Sequence, residues 1–95
     1  MDINEVVCSA YIEEKLASKH HITIDEVQQI FWSAPRVRFV ERGYIDGEDV
    51  YAAFGQTFGG CYVSVFFVYK PSTATAIIMS ARDMSMKERR AYGRK

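Results

Sequence analysis

Ninety-five residues, 48% hydrophobic and 14% aromatic, supply one small core and exclude a multidomain or disordered chain. Twelve Lys and Arg cancel twelve Asp and Glu, so no overall charge marks the chain as a nucleic-acid or membrane binder. No apolar run reaches membrane-spanning length, Met1-Asp2 opens no signal peptide, and Cys8 and Cys61 are too few and too far apart for a disulfide framework or zinc site. The expectation is a single cytoplasmic domain over residues 1–95, with reduced thiols and no bound metal.

Net neutrality hides a split. Residues 1–33 hold Lys15 and Lys19 against six carboxylates, whereas residues 34–95 hold ten cations against six. Either each half solvates its own face, or the molecule is bipolar with one basic surface for phosphate.

Ser9 to Lys19 reads as a first helix, with Ile12 and Leu16 four apart and Glu13, Glu14 and Lys15 outward. The Lys19-His20-His21 turn ends it. Thr23 with Glu26 forms a capping box for a second helix, whose apolar stripe is Val27, Ile30 and Phe31 and which Pro35 closes. Arg36 to Arg42 alternates as a strand, with Arg36 and Arg38 sharing one face and Val37 and Phe39 the other. After a Gly43–Gly47 loop, Val50 to Thr57 is a second strand, and Gly59-Gly60 turns the chain into the third, Cys61 to Lys70. That strand is apolar on both faces and belongs at the centre of the sheet. Pro71-Ser72-Thr73 leads to a fourth strand, Ala74 to Ala81, and Ser85 with Glu88 caps a last helix. The predicted fold is α+β, with two N-terminal helices, a four-stranded antiparallel meander and a C-terminal helix. Trp32, Phe58, Met79, Met84 and Met86 are assigned to the core by default, and any that are exposed would form a patch for a partner or self-association, including a homodimer.

The chemistry concentrates at the end. Arg82 stands where an apolar strand leaves the sheet, and Lys87, Arg89, Arg90, Arg94 and Lys95 follow on or beyond a short helix, so a polyanion such as RNA is the natural ligand. Arg82 either meets a phosphate or pairs with Asp83 or Glu88. Glu88 is a base or simply the capping residue. His20 has the intrinsic pKa of a general acid or base, but a histidine ending a helix also complements the helix dipole. Lys19 holds phosphate or is merely solvated. Arg36 and Arg38 extend an RNA groove or solvate their face, and Tyr92 stacks on a base or pins the helix to the sheet.

Three segments carry a family resemblance. Lys19-His20-His21-Ile22-Thr23 followed by Asp25-Glu26-Val27, the strand pair with Gly55 and Gly60, and Ile78-Met79-Ser80-Ala81-Arg82 with Glu88-Arg89-Arg90-x-Tyr92 together resemble the BrnT-type toxins of bacterial type II toxin–antitoxin systems, within the RelE-like ribonuclease toxins. The resemblance implies a RelE-like fold and an endoribonuclease working without metal or organic cofactor. It also implies an antitoxin, of ribbon–helix–helix or similar DNA-binding type, that neutralises the toxin and carries it to operator DNA. RNA cleavage by the neighbouring 2′-hydroxyl needs a proton acceptor, a cation on the phosphorus and a proton source for the leaving oxygen. Arg82, His20 and Lys19 are the implied catalytic set, with Arg36, Arg38, Arg89, Arg90 and Tyr92 along the RNA. The chain departs from the family pattern in three places. Cys8-Ser9-Ala10 stands where an early Trp and Asp are common, Val50 where an arginine often enters the second strand, and His21 where glycine is usual. A relative that kept partner binding and lost the nuclease is therefore the second open reading.

Overall fold

The computed structural model describes residues 1–94; Lys95, counted above among the C-terminal cations, lies outside the described residues. In chain order the elements are β1 (Glu5–Val7), α1 (Ala10–Lys15), a π-helical turn continuing it (Leu16–His20), α2 (Ile24–Trp32), β2 (Arg36–Glu41), β3 (Val50–Gln56), β4 (Tyr62–Lys70), β5 (Thr75–Asp83) and α3 (Met86–Gly93).

The sheet has five strands in the order β1-β5-β4-β3-β2. The four expected strands form the antiparallel meander, and β4 is central as its doubly apolar sequence requires. The four-stranded, purely antiparallel expectation is corrected by β1, which adds in parallel along β5. Three residues show too little alternation to announce a strand. They pair because the N-terminal segment is tied down, with Tyr69 Oη donating to the Asp2 carbonyl (2.9 Å) and the Asn4 amide to Ala74 (2.7 Å). The fourth strand also runs further than expected, so Arg82 and Asp83 are still paired with Ser64 and Val63.

Helix boundaries follow their caps. Ser9 Oγ accepts the Ile12 amide, and Thr23–Glu26 and Ser85–Glu88 close reciprocal capping boxes. α1 and α2 cover one face of the sheet. Leu16, Ile22, Val27, Ile30 and Phe31 pack there on Ala53, Val63, Val65, Phe67, Ala76, Ile78 and Ala81. Phe67 centres this layer, edge-on to Phe31 (5.1 Å) and stacked with Tyr51 (6.0 Å). On the other face α3 covers only one end, over a smaller cluster of Ala52, Phe54, Met84, Tyr62, Phe66 and Tyr92. Of the residues assigned to the core by default only Met84 is buried. Trp32, Phe58, Met79 and Met86 are exposed, because they fall on turns, helix ends and a β5 bulge outside both layers.

Two local features carry measurable consequences. His21 ends the π turn in the left-handed region (φ 55°) with an exposed side chain, a conformation that disfavours a Cβ. His21→Gly should therefore stabilise the fold by about 0.5–1 kcal/mol, read as a raised urea midpoint at unchanged m. A Cβ on Gly55 would come within 3.1 Å of Ile30 Cγ2, so this glycine lets α2 approach β3. Gly55→Val should cost about 1–3 kcal/mol in the same measurement.

Candidate functional site

Strand register decides what faces what. Arg36 pairs with Phe54, Phe54 with Ser64 and Ser64 with Arg82, so these four residues form one row across the open face from β2 to β5. Arg38, Ala52, Phe66 and Ser80 form the adjacent row. α3 lies over the first row, as its polar contacts show.

The centre of that contact is Glu88. Its Oε1 accepts from Arg82 Nη1 (2.7 Å), from Ser64 Oγ (3.0 Å) and from the Ser85 amide (2.9 Å), and its Oε2 accepts from Arg82 Nη2 (2.8 Å). The same carboxylate thus caps α3, pairs with β5 and bonds to β4. The Arg82 hydrogen bonds hold Glu88 well below the usual carboxylate range, at about 2, helped by Ser85 and Ser64 and opposed by burial. In return, the hydrogen bonds that Arg82 donates to Glu88 raise the pKa of its guanidinium. Glu88 is therefore a permanent anion and a poor proton acceptor near neutral pH. Of the two roles open to it, the structure shows the cap and adds the ion pair.

Arg82 keeps capacity to spare. A guanidinium has five N–H donors. Two go to Glu88 and one to the Asp83 carbonyl (3.1 Å), while the plane lies over the Phe66 ring at 5.1 Å. The Nε–H and the second Nη2–H point the same way as a side-on fork and have no partner among the described residues. With the side chain 39% exposed, that fork faces solvent, so Arg82 is fixed by Glu88 on one edge and open to an anion on the other.

Arg36 and Arg38 share this face, as expected. Arg36 Nη1 donates to the Ala91 carbonyl near the end of α3 (3.2 Å), and Arg38 lies over Phe54 at 5.6 Å. With Glu88 and Tyr92 they line an open cleft of about 270 Å³ along the helix. On the other flank of α3, Arg89 lies over the Tyr62 ring at 4.2 Å, and Tyr92 meets Tyr62 edge-on at 6.0 Å. Tyr92 thus pins the helix and also walls the cleft. Arg90 is exposed on α3.

Lys19 and His20 are not brought to this cluster. They end the π turn in the helical layer, exposed, on the opposite face of the sheet, and no hydrogen bond or ion pair joins them to Arg82. Sequence reasoning missed Ser64, a fully buried hydroxyl on an apolar strand that bonds Glu88; its position opposite Arg82 is set by register alone. Among the described residues no three His, Cys, Asp or Glu side chains converge as metal ligands would. Burial, and secondarily Glu13, raises the Cys8 thiol, which argues against a thiolate nucleophile there.

Comparison with known proteins follows the same lines. Residues 13–88 match a family model described as the ribonuclease toxin BrnT of type II toxin–antitoxin systems. The crystal structure of the Brucella abortus ribonuclease toxin BrnT has a similar fold, with a TM-score of 0.66 at 15% identity over 86% of this chain and 97% of that one. Among curated proteins no sequence match reaches significance.

The ion pair gives a signed pH dependence. A depressed carboxylate stabilises the fold fully above its ordinary value of 4.5 and loses that contribution as pH falls towards about 2. Glu88→Gln keeps a capping side chain and removes the charge. Wild type should exceed it by about 1–2 kcal/mol above pH 4.5, the half-exposed guanidinium tempering the gain, and the gap should narrow steadily as pH falls from 4.5 through about 2 in urea titrations.

Proposed function

The chain belongs to the BrnT ribonuclease toxins of type II toxin–antitoxin systems, and from that premise we propose that it cleaves RNA at a phosphate held by the free fork of Arg82. The observation that carries the proposal is the division of the Arg82 guanidinium between Glu88 on one edge and solvent on the other.

Attack by the 2′-oxygen on phosphorus breaks the bond to the 5′-oxygen and leaves a 2′,3′-cyclic phosphate, with water taking the 2′-proton and protonating the leaving 5′-oxygen. It puts extra negative charge on the non-bridging oxygens. A fork already oriented by a carboxylate meets that charge with little reorganisation, which is where electrostatic catalysis gains most. Glu88 is then a positioning residue. Arg36, Arg38, Arg89 and Arg90 supply the surrounding positive field, and Tyr92 the cleft wall. The reaction proposed is metal-independent, since the attacking nucleophile is the substrate's own 2′-hydroxyl. Lys19 and His20 take no part in this reaction, since they lie in the helical layer.

Family membership also implies an antitoxin protein partner and an RNA substrate. We take the antitoxin to be a small DNA-binding protein that covers the basic face and carries the pair to operator DNA. An RNA target fits a cytoplasmic location, and no helix among the described residues is long and apolar enough to cross a membrane.

Arg82→Lys retains a charge for Glu88 but loses the second edge of the fork. It should lower RNA cleavage by about 100-fold or more, with the circular dichroism of the folded protein and a Tm lowered by no more than about 10 °C, and induced expression should no longer arrest growth. Full activity in Arg82→Lys would remove Arg82 from the chemistry. A wild-type protein that left RNA whole and growth unaffected would instead be a relative that kept its partner surface and lost the nuclease.

A further inference from the structure

The open face also constrains how a substrate lies on it. α3 covers the row Arg36–Phe54–Ser64–Arg82, with Glu88 over its β4 and β5 end and the Ala91 carbonyl over its β2 end. The neighbouring row, Arg38–Ala52–Phe66–Ser80, runs along the flank of the helix. Arg82 lies over Phe66 from one end and Arg38 over Phe54 from the other. The cleft bounded by Arg36, Arg38, Phe54, Glu88, Ala91 and Tyr92 occupies the β2 side of that flank.

We propose that this flank is a track for single-stranded RNA crossing the strands, with the scissile phosphate on Arg82 and a second phosphate on Arg38. The proposal rests on the ribonuclease reading above and adds the direction and length of the substrate. β2 and β5 are three strand spacings apart, about 14 Å at ~4.8 Å each. That distance corresponds to about four nucleotides of a fully stacked strand at ~3.4 Å each, and to about two of a strand extended to twice that rise. Cations at both ends match the repeated phosphates of a flexible polyanion, and the buried Phe54 and part-buried Phe66 seat those cations from below. Glu88, the carboxylate within the track, is already neutralised by Arg82 and bars no phosphate from it.

The test uses DNA oligonucleotides carrying one ribonucleotide, hence one cleavable bond, with either flank lengthened a nucleotide at a time. For wild type, kcat/KM should rise about tenfold as one flank grows to two to four nucleotides, and then level off. Arg38→Ala, an exposed change on an edge strand, should flatten that rise, costing long substrates about tenfold more than the shortest one, and reduce the salt dependence of binding by about one ion. A flat length profile in wild type would overturn the track, as would an equal loss at every length in Arg38→Ala. Binding of all-deoxy, uncleavable strands separates this from the parent reading. Length-dependent binding sensitive to Arg38 with no cleavage of any RNA keeps the track and sinks the nuclease, whereas cleavage indifferent to length does the reverse.

Discussion

One carboxylate holds the open face together. α3 has no buried residue of its own, so apolar burial alone does little to dock it. Glu88 compensates by accepting four hydrogen bonds, from its own N-cap, from the β4 hydroxyl of Ser64 and twice from Arg82 on β5. Each bond to a charged acceptor is stronger than a neutral one, and together they anchor a short helix that isolated propensity would leave frayed. Fixing the helix fixes Arg82, and fixing Arg82 leaves one edge of its guanidinium aimed outward. Stability and site geometry therefore depend on the same atoms.

The sheet divides the charge as well as the space. The acidic first third of the chain builds β1 and the two helices of one face, while Arg36, Arg38, Arg82 and Arg89 lie on the other. A chain with no net charge can thus present a basic surface to an anion and a carboxylate-rich one away from it. The aromatic residues follow the same division. Phe67 and Tyr51 fill the helical core, whereas Phe54, Phe66 and Tyr62 carry guanidiniums on the open side. Rings under cations help to hold those cations oriented on the open face.

Much of this was legible in residue order. The capping boxes at Thr23–Glu26 and Ser85–Glu88, the apolar stripe of α2, the meander and the central place of β4 all follow from local spacing. The shared face of Arg36 and Arg38 follows from strand alternation. β1 was not legible, because three residues that pair only with a strand seventy positions away leave no periodic signal. Nor was the separation of His20 from Arg82, since a motif read along the chain carries no information about which side of a sheet each end reaches.

Sequence alone therefore determined the helices, the four strands of the meander and their order, the two capping boxes and the concentration of arginine near the C-terminus, because each depends on neighbours a few residues apart. Tertiary structure decided what those arginines do. Only the pairing of β4 with β5 puts Ser64 beside Arg82, and only the docking of α3 brings Glu88 onto both. Of the ion pair and the anion site, left open by the residues, the fold shows the ion pair with Glu88, and because a planar guanidinium has two edges it leaves the second for the phosphate contact we propose.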